Sequence, residues 1–117
     1  QVISTDPAFS SIVDVVRNLS RDVDKAAVEW IATMREGIDL LKEMPEAVHL
    51  IRYEDMTSHP RQTLSRISDC CNLGHDEALL DYAGQTLKPR PPRARVELHP
   101  SLEPLFRQTM SSLGYLP

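Results

Sequence analysis

No apolar run in this chain approaches the ~20 residues that a membrane-spanning helix needs, and no signal-peptide pattern is present. Basic charge is scarce as well. Thirteen Lys and Arg against 17 Asp and Glu leave a net charge of −4, which excludes the broad basic field of a general nucleic-acid or anionic-membrane surface. Any anion site must therefore be local. The only cysteines, Cys70 and Cys71, are adjacent. That is neither a Cys-x-x-Cys pattern nor metal-ligand spacing, and neighbours seldom bridge each other, so both read as packing residues of a reducing, cytoplasmic-type compartment. His49, His59, His75 and His99 form no pair at zinc-ligand spacing, so no metal is expected. The glycines Gly37, Gly74, Gly84 and Gly114 stand alone, and none precedes Lys-Ser or Lys-Thr; no loop that cradles phosphates in backbone donors is encoded.

What is present suffices for one domain, since 117 residues at 41% hydrophobic content support a core of modest size. Asp6-Pro7 caps an amphipathic helix carrying Phe9, Ile12, Val13, Val16 and Leu19 at helical spacing. After a polar break at 20–24, Ala27, Trp30, Ile31, Met34, Ile38 and Leu41 draw one stripe down a longer helix that should end near Met44-Pro45. Trp30 is its core anchor. A helix from about Pro60 to Asn72, capped by Ser58 and closed by a left-handed Gly74, would bury Leu64, Ile67 and Cys71. Asp76 starts a short helix burying Leu79, Leu80 and Tyr82. Residues 84–100, broken by Pro89, Pro91 and Pro92, read as loop. Leu102, Leu105, Phe106, Thr109, Met110 and Leu113 share a face of the last helix, which Gly114 closes.

The densest signal is Val48-His49-Leu50-Ile51-Arg52-Tyr53-Glu54-Asp55-Met56, an apolar run that stops on polar groups before a proline-led helix. The run over residues 48–53 reads as a buried strand of a mostly parallel sheet, with His49 as a satisfied sheet histidine. Ligands in such sheets sit beyond the carboxyl ends of the strands. At Arg52 to Met56, Pro60, Thr63, Leu64 and Ile67 the chain resembles the sulfotransferases that use 3′-phosphoadenosine 5′-phosphosulfate (PAPS). Their late strand carries Arg-Tyr-Glu-Asp-Leu/Met before a helix of the form Pro-x-x-Thr-Leu-x-x-Ile. The resemblance runs from about Trp30 to the terminal Leu113-Gly114-Tyr115.

That resemblance implies an α/β fold, the C-terminal part of a P-loop-like three-layer domain. Residues 1–22 would be a variable helical region and 23–117 the sulfotransferase portion, with the rest of the domain as its partner. It implies transfer of a sulfuryl group from PAPS to a hydroxyl or amine of a small-molecule or carbohydrate acceptor. Tyr53 would contact the adenine end. In the basic loop 88–95, Arg90, Arg93 and Lys88 would hold the 3′-phosphate. No catalytic residue is inherited, because the phosphosulfate loop and the base would precede Gln1; the chain, which starts without Met, reads as a piece of a longer polypeptide. Arg52, Glu54 and Asp55 read as an ion-pair and cap network rather than an acid/base set. Arg17 and Arg21 read as solvated helix-end charges. The alternative is a small helical interaction module whose Pro/Arg loop docks a partner.

Overall fold

The structure is a computed structural model that describes residues 7–93 and 95–115. A 3-10 turn at Pro7–Ile12 is followed by α1 (Val13–Arg17), α2 (Asp22–Glu43), α3 (Tyr53–Ser58), α4 (Pro60–Cys70), α5 (Glu77–Thr86) and α6 (Glu103–Ser112). The chain divides into two compact units, one of Gln1–Pro45 with Arg95–Pro117 and one of Glu46–Ala94.

In the first unit α2 forms because Ala27, Val28, Ile31 and Ala32 return to one face, and all four are buried. Asp22 and Asp24 favour its positive N-terminal end, and Pro45 follows where the helix stops at Met44. This face packs on α6. Phe9, Val28, Ile31, Ala32 and Leu102 make the core, with Trp30, Leu105 and Phe106 against it. Burying one such large side chain contributes roughly 1.5–3 kcal/mol. The rings of Trp30 and Phe106 meet at 5.4 Å with a 48° tilt, a favoured aromatic geometry.

The start of this unit departs from the expected amphipathic α-helix through Phe9 to Leu19. Ser10 Oγ donates to the Pro7 carbonyl at 2.7 Å, a local bond that competes with the α-pattern, and only Val13–Arg17 is α-helical. The expected cap Asp6 lies outside the described residues. At the other end the reading holds. Gly114 takes φ 82°, Tyr115 N–H donates to the Met110 carbonyl at 3.0 Å, and Gly114 N–H to Ser111 at 3.0 Å. These are the two bonds of a Schellman closure.

The second unit corrects the α/β expectation, because no strand occurs among the described residues. Residues 48–52 have no regular structure, Arg52 is extended at φ −89° and ψ 139°, and Tyr53 already begins α3. The physical reason is that a strand exists only through a paired neighbour, and this unit otherwise offers helices and loops. Leu50 and His49 are exposed rather than buried, and Arg66 donates to the Leu50 carbonyl at a long 3.4 Å.

Other details of this unit also shift. Helix α4 begins behind His59, with no side-chain cap from Ser58. Its left-handed residue is Asn72 at φ 56°, not Gly74, with Leu73 N–H on Ser68 at 2.7 Å and Asn72 N–H on Asp69 at 3.2 Å. Helix α5 is capped as expected, Asp76 Oδ1 accepting from Ala78 N–H at 2.9 Å and Leu79 N–H at 3.3 Å. It runs on through Gly84 to Thr86. It buries Leu80 and Ala83, whereas Leu79 and Tyr82 face solvent. Cys70 and Cys71 are free and exposed, not packed, since both sit where α4 ends.

Candidate functional site

The Arg52–Leu64 stretch folds as a helix corner. Arg52 Nε donates to Asp55 Oδ2 at 3.4 Å, with both side chains 39% exposed, so the pair contributes little on its own, about 0–1 kcal/mol. Thr57 Oγ1 donates to the Tyr53 carbonyl at 3.1 Å and closes the short α3 from inside. Pro60 then opens α4, where a missing N–H costs nothing. The corner is held at the Asp55 carbonyl, which accepts His59 N–H at 2.8 Å and Thr63 Oγ1 at 3.0 Å. Thr63 is buried, and its hydroxyl ties the two helices together.

Tyr53 is the large side chain that this corner leaves out, at 55% exposure. The basic loop is also open. Lys88, Arg90 and Arg93 are exposed; Lys88 Nζ reaches the Gly84 carbonyl at 3.5 Å, and Arg90 and Arg93 have no ion-pair partner among the described residues. No hydrogen bond or ring contact joins Tyr53 to Lys88, Arg90 or Arg93 among those residues. The four belong to one unit.

A polar cleft of about 480 Å³ opens beside the corner, lined by Asp55, His59, Gln62, Thr63, Arg66 and Asp69. None of the four expected nucleotide residues lines it. Asp55 is paired with Arg52, and Asp69 with His75 at 2.8 Å, and Arg66 adds a cation to the same wall.

Two arrangements escaped the sequence reading. Arg61 on α4 spans to Glu77, at 2.9 Å, and to Asp81, both on α5. Glu77's hydrogen bond chiefly, with Asp81's, raises the guanidinium pKa further, so Arg61 stays charged at any ordinary pH. The i,i+4 spacing of Glu77 and Asp81 was its one legible trace. In the first unit Asp24 is 2% exposed and accepts His99 N–H at 2.8 Å. Arg21, read as a solvated charge, is 54% exposed; it lies 3.9 Å from Asp24 and donates to the Glu97 carbonyl at 3.1 Å. No sequence signal links Asp24 to His99 or Arg21 to Glu97, 75 and 76 positions apart.

Among the described residues no group of His, Cys, Asp and Glu could hold a metal ion. No described helix is long and apolar enough to cross a membrane. No protein-family model matches the chain, and neither the curated proteins nor the solved structures contain a significant match.

Proposed function

We propose that this chain is the nucleotide-binding portion of a PAPS-dependent sulfotransferase, acting in transfer of a sulfuryl group to a hydroxyl or amine acceptor. The observation that carries the reading is the division of labour in the Arg52–Leu64 block. Arg52, Asp55 and Thr63 are engaged in holding the α3–α4 corner, while Tyr53 stands free of it and exposed. A phenol in that position offers a face and a hydroxyl to a purine. Lys88, Arg90 and Arg93 supply exposed cations for the 3′-phosphate, Arg through paired N–H donors. Reaction would rest on in-line positioning and charge neutralisation. This segment supplies nucleotide contacts and no catalytic group; the reading assigns the phosphosulfate loop and the base to residues outside these 117.

The test is calorimetric titration of adenosine 3′,5′-bisphosphate into the polypeptide carrying this segment. Tyr53→Ala and Arg90→Ala should each weaken binding about tenfold. Unchanged affinity in both variants would remove the assignment.

A second reading, a helical interaction module docking a partner through Pro89-Arg90-Pro91-Pro92, is favoured by the helical second unit and by the exposure of residues 88–93. Failure of the bisphosphate to bind at all, with capture of the loop peptide by an aromatic-grooved domain, would select it.

A further inference from the structure

A cleft of about 610 Å³ lies within the first unit, between the first turns of α2, the 95–98 stretch and α6. Its walls are Val23, Ala27, Trp30, Leu98, Phe106 and Met110, and its size is that of a small-molecule pocket. The small side chains of Ala26 and Ala27 on α2 leave the room, and the Trp30–Phe106 pair forms an aromatic wall. Three charged groups line it, Arg95, Glu103 and Arg107. Arg95 lies 3.4 Å from Glu103 and takes up its charge. Arg107 has no ion-pair partner among the described residues, so the cleft carries one uncompensated positive charge on an apolar wall.

We infer that this cleft binds a small amphipathic anion, a medium-chain or aromatic carboxylate whose apolar body lies on Trp30 and Phe106 and whose carboxylate meets Arg107. The inference is independent of the sulfuryl-transfer reading, since it uses residues of the other unit. A neutral hydrocarbon would gain nothing from Arg107 and a cation would be repelled by it, whereas a carboxylate accepts its paired N–H donors. The apolar wall supplies the non-directional part of the affinity.

Trp30 is the single tryptophan and lines this cleft, so all tryptophan emission comes from its wall. Titration of the full chain with decanoate below its micelle concentration should give a saturable one-site change. Decanol should bind about tenfold more weakly. Arg107→Gln should abolish that preference and leave the two ligands equal. Ala26→Leu should weaken both by filling the cleft, with an unchanged circular dichroism spectrum. The inference is overturned by the absence of a saturable change, by equal affinity for decanoate and decanol in the wild type, or by Arg107→Gln retaining the preference. A change in Trp30 emission on dilution alone would also overturn it, because a second copy of the chain would then fill the cleft.

Discussion

Asp24 Oδ1 accepts the backbone N–H of His99 at 2.8 Å across 75 positions of sequence. The carboxylate is buried, and through this bond the first turn of α2 holds the segment that leads into α6. His99 in turn shapes the turn that precedes that helix, its carbonyl accepting Leu102 N–H at 2.8 Å and its Nδ1 accepting Ser101 N–H at 3.1 Å. A hydrogen bond to a charged group contributes about 1.5–3 kcal/mol. Asp24→Ala should therefore lower stability by that amount in urea unfolding, and Asp24→Asn, which keeps an acceptor, by less. An Asp24→Ala midpoint equal to wild type would mean that water replaces the bond.

The two interior helix glycines should be stabilising sites for Ala. A Cβ on Gly37 meets nothing within 4 Å, and one on Gly84 makes ordinary contact with Arg61 Cγ at 3.5 Å. Gly-to-Ala in a helix interior contributes up to about 1 kcal/mol. Gly37→Ala should show most of it in thermal unfolding, and a loss in stability there would show that the helix bends at that point.

Opposite outcomes are expected at the helix ends. Asn72 is held at φ 56° and Gly114 at φ 82°, where a Cβ costs roughly 1–2 kcal/mol. Asn72→Gly should raise the urea midpoint, while Asn72→Ala and Gly114→Ala should lower it by about 1 kcal/mol. If Gly74→Ala were the damaging change instead, the turn assignment would be wrong.

Thr63→Val keeps the shape of a buried side chain and removes its hydroxyl bond to Asp55. A loss of about 1 kcal/mol is expected. Under the nucleotide reading, the same variant should also weaken adenosine 3′,5′-bisphosphate binding, because the freed corner no longer places Tyr53. Valine at 63 with unaltered bisphosphate affinity would confine Thr63 to a structural part.

The helical stripes were the most legible feature. The α6 face read from spacing contains Leu102, Thr109 and Leu113, all buried, and the α2 stripe contains Ala27 and Ile31, also buried. Periodicity works there because one face of a helix must leave water whatever it packs against. The Asp76 cap and the Gly114 closure were readable for a similar reason, since each satisfies backbone groups within a few residues. The candidate nucleotide residues were legible only as a motif, and the structure adds the exposure of Tyr53 and the bonds that hold its neighbours.

Residues 48–53 show the opposite case. Their apolar run and turn boundaries describe an extended segment, but an extended segment becomes a strand only when a second one donates and accepts across it, and that pairing is not a property of the run. The placement of Leu80 rather than Leu79 in the α5 contact, the Arg61 clamp and the Asp24–His99 bond belong to the same class. By itself the sequence determined that α2, α4, α5 and α6 are helical, which faces α2 and α6 bury, and how α5 begins and α6 ends, because those outcomes follow from bonds and burial within a few turns. Only the tertiary structure decided what the Val48–Tyr53 run becomes and which distant polar groups meet, because a hydrogen bond across 75 residues depends on packing that no local pattern encodes.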